Sequence, residues 1–225
     1  MRRLIPLLTL LGHLVAAPAM ASHGGPEVVE IIGFDPIDEK IFYVTHYQDE
    51  TDLWSDVHYF DLKSARPWIP VRVDMRKGLD SPTAGAGDWM DPEYTEFSDR
   101  MMRLRQRLRP LPHLKTLDVT IRAEPLSEDT LLGGWKPRLQ RSVELKDSTN
   151  SARAVVTTFC NYRLGIESVR GIPGRSWTLV VLSFTGIPME TCYELQSPIL
   201  LLPVPPPPRT LSSTRPGGPL GLEKQ

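Results

Sequence analysis

Apolar and polar residues alternate along most of this chain with the two-residue period of a pleated strand. Residues 28–34 (VVEIIGF) and 40–47 (KIFYVTHY) are rich in β-branched and aromatic side chains and flank the turn-like DPIDE, a pattern that predicts a hairpin. A third run, SDVHYFDL at 55–62, follows an acid-rich loop. A fourth, WIPVRVD at 68–74, contains Pro70 and so suits an edge strand. The period then changes. Asp91 can cap a helix, Pro92 fits its first position, and Tyr94, Phe97, Met101, Leu104 and Leu108 recur at steps of three and four. That spacing predicts an amphipathic helix over about 92–108, stopped by Pro110. Strand patterns return at 114–126 and 136–146, joined through Gly133-Gly134. They continue at 151–163 and 176–186, read as a second pair, and end at 190–202. The chain is expected to be mainly β, built of antiparallel hairpins, with the one helix packed on a sheet.

The two ends read differently. Arg2 and Arg3 precede an apolar run from Leu4 to Ala17, and Ala19-Met20-Ala21 has the small-x-small pattern of a cleavage site. Residues 1–21 are therefore expected to be a secretory signal peptide, too short to span a membrane. Residues 204–225, VPPPPRTLSSTRPGGPLGLEKQ, are rich in Pro, Gly and Ser and are expected to be a disordered or polyproline tail. Residues 22–203 remain as a single mainly-β domain, with no later run apolar enough for a transmembrane segment.

Charge narrows the partners. The chain has 26 Lys and Arg against 27 Asp and Glu, and without a positive excess nucleic acid is not an expected ligand. Arg103, Arg105, Arg107 and Arg109 crowd the end of the helix. They complement its dipole on a solvated face; an anion or membrane-headgroup patch is the sharper alternative. In an oxidising compartment two cysteines suggest one disulfide, Cys160–Cys192. It would close a loop of about 30 residues, for which the chain-entropy model gives about 3–4 kcal/mol.

The first hairpin carries a further pattern. Phe34-Asp35-Pro36-Ile37-Asp38-Glu39 leads into KIFYV, and Val57-His58-Tyr59-Phe60-Asp61-Leu62 follows. In this order residues 28–73 resemble one blade of a TolB-like, or WD40-like, β-propeller. In such blades a strand runs into Phe-Ser-Pro-Asp-Gly-Lys, an apolar strand and an Ile-Tyr-x-x-Asp strand. Asp35 stands for the blade's Ser, Ile37 for its Asp and Asp38 for its turn glycine; Asp tolerates positive φ better than most residues. The resemblance implies an open or propeller-like sheet whose surfaces bind other proteins. No second clear copy follows. A ring needs at least about four blades of about 40 residues each, so an open or irregular sheet is expected.

In the simplest register of KIFYVTHY against SDVHYFDL, His46 faces His58, Val44 faces Phe60 and Phe42 faces Leu62. That register puts the last four of these residues in one shared dry interior. Opposed imidazoles can share a zinc ion with a carboxylate from Asp49, Glu50, Asp52 or Asp56. Two histidines at the rim of a core also serve as ordinary hydrogen-bonding residues. Trp54, Trp68 and Trp89 are candidates for a binding surface. The sequence has no G-x-S-x-G, H-E-x-x-H or phosphate loop. The expected function is that of an exported, periplasmic or extracellular, non-catalytic binding or scaffolding protein without a cofactor, its partner an envelope or secreted protein. Two rivals stand beside it. One is a small periplasmic hydrolase or metal-dependent enzyme using the His46/His58 hairpin, and the other is a structural component of an envelope assembly.

Overall fold

The computed structural model describes residues 27–47, 55–75, 77, 92–130, 137–159, 163–188, 192–203 and 209–211. The expected leader, Trp54, Trp89, Cys160 and most of the Pro-rich tail lie outside them. Among the described residues two sheets, one α-helix and a short 3-10 helix (Thr116–Asp118) form the fold. The larger sheet has β1 (Glu27–Asp35), β2 (Lys40–Tyr47), β3 (Asp56–Asp61) and β4 (Val71–Val73) on one side. Its other side is β8 (Leu164–Gly171), β9 (Thr178–Pro188) and β10 (Cys192–Leu201), in the order β4-β3-β2-β1-β10-β9-β8. The smaller sheet has β5 (Thr120–Thr130), β6 (Pro137–Lys146), β7 (Ser151–Phe159) and β11 (Arg209–Leu211), in the order β11-β7-β6-β5. Neighbours are antiparallel except β1 with β10 and β11 with β7.

The first hairpin forms as its pattern predicts, and β4, following Pro70, lies at the sheet edge. The turn after β1 is held by Asp35, whose Oδ1 accepts from the N–H groups of Ile37 (3.0 Å) and Asp38 (3.2 Å). The residue with positive φ there is Glu39, at 53°, and not Asp38: the carboxylate of Asp35 fixes the first part of the turn and leaves the last residue to close it. Beyond the helix the expected pairing changes. β7 pairs with β6 and β11, whereas β9 pairs with β10 and β8, so the segments read as a second hairpin lie in different sheets. β8 separates them. Its sequence, LGIESVRG, has few apolar positions, and its ladder shifts register between Ile166 and Ser168, which hides the strand period.

Helix α1 (Pro92–Arg107) lays Phe97, Met101 and Leu104 on Phe42, Val44 and Val57, a core cluster on one face of β2 and β3. The opposite face buries Ile41, Tyr43 and Phe60 with Phe34, Leu111, Leu179 and Leu200. A third cluster, with Val143, Leu145, Val156, Val180, Leu182 and Phe184, fills the space between the two sheets. Phe42, Val44, Phe60 and Leu62 are all buried, as expected, but in two interiors and not one.

The two halves of the large sheet meet at a single parallel pair, Glu27 with Leu195. The chain leaving α1 reinforces them. Phe34 and Arg109 exchange both main-chain hydrogen bonds (2.8 and 2.9 Å), and a few residues later Gly171 N–H donates to Pro112 O (3.0 Å). Gly33 permits this strap: its φ is +151°, and a Cβ there would lie 2.8 Å from Arg109 O. Within the segment expected to be disordered, Arg209–Leu211 forms a strand beside β7. Leu211 is buried in the core between the sheets, and one large apolar side chain with a neighbouring ladder is enough to hold three residues in place.

Candidate functional site

The register of β2 and β3 decides what the two histidines can do. Tyr43 opposes His58, and Val44 opposes Val57, a shift of three residues from the simplest alignment. Residues directly opposed share a face, and faces alternate along a strand. His58 therefore lies on the face of Tyr43, where the two rings stack at 5.2 Å and 14°. His46, three residues on, lies on the other face. The imidazoles do not converge, and the zinc pair expected of His46 and His58 loses its geometry. Among the described residues no group of three or more His, Cys, Asp or Glu side chains is placed to hold a metal ion.

His46 instead belongs to a cluster on the helix side of the sheet. Val28 of β1 opposes it, and Glu30 is the next residue of β1 on that face. His46 Nε2 lies 3.0 Å from Glu30 Oε2, and Nδ1 lies 2.8 Å from the Ser55 hydroxyl. From α1, Arg105 donates to Glu30 through both terminal nitrogens, at 2.6 and 2.8 Å. This fork geometry is the strong form of the Arg–carboxylate bond. Arg105 first, and His46 after it, hold the Glu30 carboxyl down to about 2, against the opposing effect of burial. The same carboxylate raises Arg105 above its usual range. An ionised carboxylate only accepts, so the Nε2 facing it carries the hydrogen. In the neutral ring Nδ1 then accepts from the Ser55 hydroxyl. On the opposite face, burial holds the His58 imidazole below its usual range, and Arg72 adds to that effect while Asp56 opposes it.

One cleft adjoins the cluster at Ser55, and a second lies along α1. The first, of about 350 Å³, is lined by Ser55, Asp56, Arg72, Val73, Asp74 and Met75; within it Arg72 donates to Asp56 at 2.6 Å. The other, of about 360 Å³, runs between α1 and the edge of the large sheet. Phe42, Val73, Met75 and Leu104 make its apolar lining, and Arg100, Arg103, Arg107 and Asp74 its charged lining. The arginines of the helix thus do more than face solvent. Arg105 grips Glu30, Arg107 lies 3.5 Å from Asp35 and over the Phe42 ring, and Arg100 donates to the carbonyls of Met75 and Lys77.

Of the three candidate tryptophans, Trp68 is half-buried and packs against the cluster around Phe60; Trp54 and Trp89 lie outside the described residues. Cys192 belongs to β10, while Cys160 lies outside the described residues. No disulfide is found among the described residues. Sequence reasoning singled out His46, and Arg105 among the arginines of the helix, but missed Glu30 and Ser55. The signal for Glu30 was a lone acid inside the apolar run 28–34. No helix in the described residues is long and apolar enough to cross a membrane. No protein-family model, curated protein or solved structure matches the chain.

Proposed function

We propose that this chain is an exported, non-catalytic binding or scaffolding protein of the cell envelope, using the groove between α1 and β2–β4 as a ligand surface. The groove carries the reading. Its floor of Phe42, Val73, Met75 and Leu104 suits an apolar body, and its three arginines, Arg100, Arg103 and Arg107, outnumber Asp74 in the lining and suit an acidic group that competes with Glu96 and Asp35 for them. The neighbouring polar cluster supports it, because Glu30 accepts from Arg105 through both oxygens, Oε2 being shared with His46, and so serves to dock the helix. The export motif and the likeness of 28–73 to a propeller blade agree with a role in protein contacts. The test uses an apolar anionic dye, 8-anilinonaphthalene-1-sulfonate. It is expected to brighten on the folded protein, and Arg103→Glu is expected to weaken that binding about tenfold, the effect of losing one charge-assisted contact. Unchanged binding by Arg103→Glu and by Leu104→Asp would remove the groove from consideration.

One observation favours the hydrolase reading as a second. Ser55, His46 and Glu30 form a continuous hydrogen-bonded line with the tautomer set for His46 to accept the serine proton. In that reading Ser55 Oγ attacks an ester carbonyl while its proton passes to His46 Nδ1. The proton then leaves with the alcohol, and water releases the acyl group. Hydrolysis of p-nitrophenyl acetate that disappears in Ser55→Ala and in His46→Gln supports it. Turnover equal in wild type and Ser55→Ala discards it.

A further inference from the structure

β5 closes one side of the smaller sheet. Among the described residues it pairs with β6 alone, so its other edge presents main-chain N–H and C=O groups. Every residue from Thr120 to Leu126 is exposed. The register with β6 assigns the faces. Ile121 opposes Leu145 and Ala123 opposes Val143 on the core side, while Arg122 opposes Glu144 and Glu124 opposes Ser142 on the outer side.

We propose that this edge pairs antiparallel with the same edge of a second copy of the chain, about a two-fold axis through Ala123. A two-fold axis normal to the sheet keeps each face on its own side, so only residues of one face can oppose each other, and residue i meets j while j meets i. With Ala123 on the axis, Arg122 meets Glu124 of the partner subunit, and Glu124 meets Arg122 of the partner subunit. On the core side Ile121 meets Pro125 of the partner subunit, apolar against apolar. Moving the axis to Arg122 sets two guanidinium groups against each other, and moving it to Glu124 sets two carboxylates against each other. Like charges directly opposed in a sheet are destabilising, so the charges select the Ala123 register. Charges on an edge ordinarily deter pairing, but these two are self-complementary. Each chain's Arg122–Glu124 ion pair, 2.8 Å, becomes part of a four-charge group of alternating sign. Pro125 has no N–H, and the ladder with β6 shifts between Pro125 and Ser127. The seam therefore stops there and cannot slide toward the C-terminus.

Sedimentation velocity of the purified chain is expected to show a concentration-dependent monomer–dimer equilibrium. Arg122→Glu replaces two attractive pairs with two repulsive ones and is expected to weaken the dimer by about tenfold or more. The exchange of both charges, Arg122→Glu with Glu124→Arg, restores opposite signs across the axis and is expected to recover it. Both side chains are exposed, at 76% and 61%, so the monomer fold is retained and far-UV circular dichroism verifies this. A chain that stays monomeric at its highest soluble concentration overturns the proposal. A dimer indifferent to Arg122→Glu, or one not recovered by the exchange, overturns it as well.

Discussion

Glu30 of β1 and Arg105 of α1, 75 residues apart, share a two-pronged ion pair of 2.6 and 2.8 Å that fastens the helix to the large sheet. The pair predicts an acid response. Glu30 is held at about 2 in the folded chain against an ordinary 4.5. A depressed carboxyl adds stability above its unfolded value and loses it as pH falls through the folded one, so the loss falls between about 4.5 and about 2. Its side chain is 39% exposed, and solvent screening reduces the contribution to about 1 kcal/mol. Urea unfolding at stepped pH is expected to show that fall in wild type and a flatter profile in Glu30→Gln.

His58 predicts a response at higher pH. Burial lowers its affinity for a proton in the folded chain relative to the ordinary 6.5. The unfolded chain then binds more protons just below that value, so stability is full above 6.5 and declines as pH falls toward the folded value. Ring-proton NMR is expected to show His58 titrating below the free-histidine midpoint. His58→Phe, which keeps the stack on Tyr43, is expected to remove this part of the pH dependence.

Gly33 predicts a backbone effect. A methyl group there would meet Arg109 O at 2.8 Å and Leu108 Cβ at 2.9 Å, with φ at +151°. Gly33→Ala forces the strap away from β1 and is expected to cost about 2–4 kcal/mol through strain and lost contact. Chemical denaturation of the variant reads this directly, and faster hydrogen exchange at Phe34 and Arg109 locates it.

Leu211 predicts that part of the Pro-rich tail supports the fold. Its side chain is 5% exposed between the sheets. Leu211→Ala is expected to destabilise by about 2–3 kcal/mol, the usual effect of emptying a core site. A variant as stable as wild type would place this residue with the freely dispensable tail.

Local pattern fixes structure where a period or a ring chemistry dictates it. The stripe from Phe97 to Leu104 gave the helix and its buried side, because only a 3.6-residue repeat aligns those positions. Pro70 marked the edge, since β4 needs no donor on its outer side. The site was legible only in part. His46 stood out beside its acidic loop, but its partner Glu30 is set by β1 pairing, 16 residues away, and Glu30 is in turn gripped by Arg105, 75 residues from it, through helix docking.

What the sequence determined by itself is the identity of most elements: β-hairpins at the start, one amphipathic helix, and strands thereafter. Tertiary structure alone decided how they align. β2 is apolar on both faces, Ile41 and Tyr43 toward one core and Phe42 and Val44 toward another. A strand buried on both sides gives the hydrophobic pattern no preferred register. The choice that set His58 against Tyr43, and sent His46 to Glu30, was made by packing the helix on one face and the rest of the sheet on the other.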